Sequence, residues 1–135
     1  YVECDRCLTD AIMITTNCHP GKRRMKCLDF GKQAATFYDI QSGKAIRMTN
    51  MSEKAPKGCN LREWFAQRSD EDLFKVEQVR VRITENDLPG RPRQVAVCGR
   101  CGEQITDGRE VQGEHGEILC RNCAQGSYYE VLGTI

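Results

Sequence analysis

The chain has 135 residues, with 20 Lys+Arg against 19 Asp+Glu and a formal net charge of +1. That length suits one ordinary domain, or a small domain joined to a metal-stapled module, and excludes most large catalytic scaffolds. The near-neutral balance gives no general pull toward nucleic acid or acidic lipid, and no apolar run reaches the length of a membrane span.

Along the chain, Leu8, Ala11, Ile12 and Thr15 recur at helical spacing, which predicts an amphipathic helix over about 6–16 with Asp5 as its N-cap. Residues 17–21, with Pro20, should end it. The period then changes. Residues 25–30 and 33–40 are rich in strand formers, and Gln41-Ser42-Gly43-Lys44 separates the second run from Ala45-Ile46-Arg47-Met48, which predicts a strand followed by a hairpin. Leu61, Trp64 and Phe65 predict a short helical piece, and Ser69 with Asp72 an N-cap signal before Leu73-Phe74. Val79, Val81 and Ile83 alternate with Arg80, Arg82 and Thr84, the pattern of a strand with one apolar and one basic face.

Two prolines and a glycine within residues 86–92 mark a linker. The expected organisation is an α+β core over 1–88, with a small antiparallel sheet and helix, a linker over 89–95, and a Cys4 zinc-ribbon module with a C-terminal tail over 96–135.

Nine cysteines are many for this length, and their number is odd. No export segment opens the residues given, so the thiols are expected to be reduced and the protein cytoplasmic. The clearest motif is Cys98-Gly99-Arg100-Cys101, followed after eighteen residues by Cys120-Arg121-Asn122-Cys123. Two C-x2-C pairs separated by a hairpin's length can surround Zn2+ tetrahedrally, and thiolates suit that ion. Paired disulfides or buried thiols are the alternative, disfavoured in a reducing compartment. Four sulfur ligands leave no open position for water, so the site should be structural. The stretch 113–117 reads as the outer turn of the intervening hairpin, with His115 exposed in it.

Charge bears on what the ribbon touches. From Gln94 onward three basic residues (Arg100, Arg109, Arg121) face six acidic ones (Glu103, Asp107, Glu110, Glu114, Glu117, Glu130). Phosphate binding relies on Lys and Arg displacing counterions, so nucleic acid is not an expected partner. Tyr128, Tyr129, Val131 and Leu132 offer an apolar patch for a protein contact, or pack against the core.

Cys4 and Cys7 form a further C-x2-C, followed by Cys18 and His19. A helix of roughly 15 Å would hold Cys7 and Cys18 at opposite ends, so joint ligation within one chain is disfavoured. Cys18, with or without His19, could line a site completed by another segment; buried cysteines and a helix-ending histidine are the plain alternative. Cys27 and Cys59 lack ligand-like spacing and read as core thiols. The one basic cluster, residues 21–26, offers Gly21 and Lys22, with Lys32 nearby, as an anion or cofactor site; a solvated loop is the alternative.

The ordered set Val2-Glu3, Cys7, Asp10-Ala11-Ile12, Thr16, Cys18, Gly21-Lys22, Asp29, Gly31-Lys32, Thr36-Phe37-Tyr38, Ser42-Gly43-Lys44 and Arg47 resembles the FmdE family, the E-subunit family of formylmethanofuran dehydrogenase. Asp72-Leu73-Phe74-Lys75-Val76 and the ribbon resemble its two-domain members. The resemblance implies an α+β core, a C-terminal zinc finger, intertwined homodimers, and association with molybdenum or tungsten enzymes that interconvert carbon dioxide and formylmethanofuran. It places Cys7, Asp10, Cys18, Gly21, Lys22, Gly31 and Lys32 at a pocket, with a possible second metal in the core at Cys7 and Cys18. Family members carry a helix with a His-x-His-x-Cys-Pro-Gly signature ahead of the position of Tyr1, so the pocket is expected to be incomplete in these residues. Arg23 stands where the family has a glycine, and His19 where it has a threonine.

The expected function is a zinc-containing accessory protein without catalysis of its own, contacting a partner enzyme. The alternative is a metal- or redox-responsive transcriptional regulator acting through the ribbon. An enzyme using Cys7 or Cys18 as nucleophile ranks last, since no motif sets a base beside either thiol.

Overall fold

The computed structural model describes residues 1–133. The chain divides into two compact units, Tyr1–Ile83 and Thr84–Ile135.

In the first unit, α1 (Cys7–Thr16) follows the apolar period of the sequence. Asp5 is not its cap. The helix starts one position later than that assignment requires, so Arg6 takes the N-cap with no side-chain hydrogen bond, and the Thr9 hydroxyl donates to the Cys4 carbonyl at 2.5 Å. Asn17 ends α1 in the left-handed region at φ 55°, a conformation asparagine tolerates, and Pro20 opens a 3-10 turn, Pro20–Lys22.

The sheet is built from β1 (Ala34–Tyr38), β2 (Ala45–Asn50) and β3 (Phe74–Val79), all antiparallel in the order β1-β2-β3. Asp39 shapes the β1–β2 turn: its carboxylate accepts from the Gln41 amide at 3.0 Å and the Ser42 hydroxyl at 2.6 Å, and Gly43 supplies a φ of 70°. Ahead of β1, Val2 bridges both Ala35 and Cys27, so the first residues lie alongside the sheet.

The expected strand over 25–30 is reduced to that one bridge at Cys27. Asp29 and Gly31 both adopt left-handed backbone, φ 46° and 66°, and turn the chain away before a ladder can extend. The alternation at 79–84 survives as exposure, with Val81 and Ile83 half-buried and Arg80 and Arg82 exposed. The strand itself lies earlier, because β2 begins at Ala45 opposite Val79 and offers no partner beyond it.

Two short helices precede β3. Asn60 caps α2 (Leu61–Ala66) by accepting from the Arg62 amide at 3.0 Å. Ser69 and Asp72 form a reciprocal capping box on α3 (Asp70–Leu73), which runs directly into β3.

One side of the sheet carries the core: Val2, Met25 and Ala35 are buried, with Ile12, Met13, Cys18 and Phe37 packed against them. The other side carries the cross-strand row Thr36–Arg47–Glu77. There Glu3, only 6% exposed, accepts two hydrogen bonds from the Arg47 guanidinium, at 2.7 and 2.8 Å. Cys59 is half-buried, whereas Cys27 is exposed rather than a core thiol, since it sits where the chain leaves the sheet.

The second unit begins with a 3-10 turn, Glu85–Asp87, closed by a Thr84/Asp87 capping box. Residues 89–95 fold with it: Arg93 pairs with Glu85 at 3.1 Å, and Gln94 donates to Glu110 at 2.6 Å. Two small hairpins follow, β4 (Val95–Val97) with β5 (Gln104–Thr106), and β6 (Val111–Gln112) with β7 (Ile118–Leu119), then α4 (Arg121–Gln125). Cys98, Ile105 and Leu119 are its buried residues, with Ala96, Val111, Cys120 and Cys123 around them. Among the described residues no helix is long and apolar enough to cross a membrane.

Candidate metal centre

The two C-x2-C pairs occupy two backbone knuckles that the hairpins bring together. Cys98 follows β4, and the turn after it closes through the Gly102 amide on the Cys98 carbonyl at 2.9 Å, with Gly102 left-handed at φ 75°. Gly99 donates from its amide to the Ile118 carbonyl at 2.8 Å, and a Cβ there would stand 3.4 Å from that oxygen. A side chain at this position would lie against the main chain of β7.

Cys120 follows β7 and caps α4, its sulfur accepting from the Cys123 amide at 3.3 Å, while its own amide donates to the Cys98 sulfur at 3.3 Å. The Cys101 and Cys120 sulfurs lie 3.9 Å apart, and all four sulfurs fall within 4.8 Å of one another. Among the described residues this is the group of His, Cys, Asp or Glu donors that could hold a metal ion.

The four thiols differ in surroundings. Cys98 is buried, Cys120 and Cys123 are half-buried, and Cys101 is exposed. Main-chain amides converging on Cys98, first that of Cys101 and then that of Cys120, pull its thiol down to about 6. Cys123 is pushed up to about 12, chiefly because it shares a hydrogen bond with the Cys120 sulfur and secondarily by burial. Four sulfurs this close resist carrying several negative charges unless a cation stands among them.

His115 is exposed in the outer turn, its amide bonded to the Glu117 carboxylate at 3.0 Å, and is not among the clustered donors. Tyr128 and Leu132 are each 95% exposed and Val131 is exposed too, so the tail patch stands in solvent instead of packing on the core. Tyr128 and Tyr129 stack edge to face, 5.1 Å between centroids.

The other candidate residues are more scattered. Cys7 is exposed at the start of α1, and Cys18 packs half-buried against the Val2 cluster beyond its end. Neither joins a group of three or more metal-type donors among the described residues. His19 bonds Asn17 at 2.9 Å through Nε2. Asp10, Gly21, Lys22, Gly31 and Lys32 are exposed, Gly21 with open space where a Cβ would stand. The Lys32 amide donates to the Glu3 carbonyl at 3.1 Å. Sequence reasoning missed Arg100, whose guanidinium donates from Nη1 to the Cys123 carbonyl. Its position between the first two ligands was the available signal.

This chain is 29% identical to a probable S-adenosyl-L-methionine-binding protein of Archaeoglobus fulgidus, aligned over 98% of the chain and 42% of that relative. It thus spans less than half the length of this curated relative. The crystal structure of a tungsten formylmethanofuran dehydrogenase FmdE-like protein from Syntrophus aciditrophicus matches with a TM-score of 0.55 at 25% identity, over 96% of this chain and 72% of that one. The model of the FmdE family, molybdenum formylmethanofuran dehydrogenase operon, matches residues 1–86. With that match covering the α+β unit and more than half of the chain, the chain belongs to the FmdE family.

Proposed function

We propose that this protein is a zinc-containing accessory factor related to the FmdE component of formylmethanofuran dehydrogenase, serving molybdenum or tungsten enzyme metabolism through protein contacts. The observation that carries the metal assignment is the four-sulfur cluster. A tetrahedron of Zn–S bonds has S–S edges of about 3.8 Å, and the Cys101–Cys120 separation is 3.9 Å. Cys98, Cys101, Cys120 and Cys123 would hold the ion, with no position left for substrate water. The exposed tail at Tyr128, Val131 and Leu132, on an acidic module, is the proposed contact with a partner enzyme.

The remaining parts of the proposal concern the first unit. Exposed Phe30, Ile46 and Val76 support a homodimer formed through it. Cys18 with Gly21, Lys22 and Lys32, and Cys7 at the far end of α1, are the proposed candidates for a second site completed by another segment. Nine free thiols fit a cytoplasmic location. Metal analysis of the purified protein and of Cys120→Ser tests the main assignment. About one zinc per chain, lost in the variant, is the expected result; equal zinc in both rejects it. A monomer by light scattering rejects the dimer.

A second reading, a metal- or redox-responsive regulator, is favoured by the exposure of Cys101, which makes one ligand reachable by oxidants. Zinc loss at low peroxide, with a change in partner binding, would favour it over the accessory role.

A further inference from the structure

Resting on the metal reading above, we propose that Arg100 is a positioning residue that clamps the two knuckles together and sets how slowly the site gives up its ion. Arg100 touches both halves of the cluster. It lies within the first knuckle, between Cys98 and Cys101, and its guanidinium reaches across to the Cys123 carbonyl, 23 residues away in sequence. It links the two ligand pairs without being a ligand itself.

The bond falls within the single turn of α4. That helix has five residues, and the amides at its end, Ala124 and Gly126, close on the carbonyls of Cys120 and Asn122. The Cys123 carbonyl, at the negative end of the helix, takes the guanidinium, so a cation completes the C-terminal end of α4 beside the last ligand. Charge reinforces geometry: four thiolates around a divalent ion carry a net −2, and Arg109 and Arg121 are the other basic residues of the module beyond Gln94. Dissociation requires one knuckle to swing from the other so that a sulfur can leave. Arg100 opposes that swing. It is not needed to make the tetrahedron, because the sulfurs are placed by β4, β7 and the knuckle amides.

The test uses the full chain, first loaded with Co2+ to read the thiolate-to-cobalt absorption, then with Zn2+ to time its transfer to a chromogenic chelator. Arg100→Met should keep the cobalt spectrum and release zinc about threefold faster, the loss expected for one exposed hydrogen bond from a charged donor. Arg100→Lys, with the charge but without the planar fork, should fall between the two. Equal release from the parent and Arg100→Met overturns the clamp while leaving the metal reading intact. If Arg100→Met fails to assemble a cobalt site, Arg100→Lys decides: faster release than the parent supports the clamp, and an unchanged rate overturns it. A parent chain without the absorption band overturns the metal reading, and the clamp with it.

Discussion

The two units reach stability by different means. In the first, a helix closes on a sheet over Val2, Met25 and Ala35, and a buried carboxylate on the opposite face is matched by a guanidinium. In the second, the buried residues among those described are Cys98, Ile105 and Leu119, one of them a member of the sulfur cluster, and the strands are two or three residues long. A core that small is marginal for a module of this size, and on the proposed metal reading an ion held by the four sulfurs supplies the difference. One unit is packed; the other, on the metal reading proposed above, is held by coordination.

The sharpest way to break that comparison is to remove the metal. A strong chelator should abolish the amide dispersion of the second unit while leaving resonances of the first in place, because metal binding in such modules contributes on the order of 10 kcal/mol to folding. Retention of the second unit's dispersion in metal-free protein would show that packing suffices there.

The reverse experiment acts on the first unit. Arg47→Met strands Glu3, whose side chain is 8% exposed, and should cost about 3 kcal/mol, the lower end for a broken buried pair, measured by urea unfolding. The same pair fixes a pH response. The hydrogen bond from Arg47 holds the Glu3 carboxyl below the ordinary carboxylate range. Its contribution is therefore present above the unfolded carboxyl's pKa and is lost as pH falls through the lower folded value. Glu3→Gln should flatten that acid limb, and an unchanged limb would assign it to other carboxylates. A smaller effect is expected at the capping box: Ser69→Ala should destabilise the first unit by about 1 kcal/mol and leave metal content unchanged.

How much of this was legible in the sequence depended on whether the cause was local. The period of α1, the turn at 41–44, which the structure begins two residues earlier at Asp39, and the Ser69–Asp72 box are written within a few residues. The ribbon cysteines are separated, but a C-x2-C pair is itself local, and two such pairs name their own partners. Residues 25–30 have strand composition yet form one bridge, because the left-handed turns at Asp29 and Gly31 override propensity. The position of β3 was set by the length of β2, which its own alternation could not reveal. Glu3 and Arg47 are 44 residues apart with no motif linking them, and they became a pair through sheet register alone. Cys7 and Cys18 stayed apart because a ten-residue helix is a fixed spacer.

Zinc K-edge X-ray absorption on the purified chain tests the central claim most directly. Four sulfur neighbours at about 2.3 Å and no nitrogen or oxygen in the coordination shell is the predicted spectrum. A shell containing imidazole or carboxylate, or protein carrying paired disulfides and no zinc, would contradict the account.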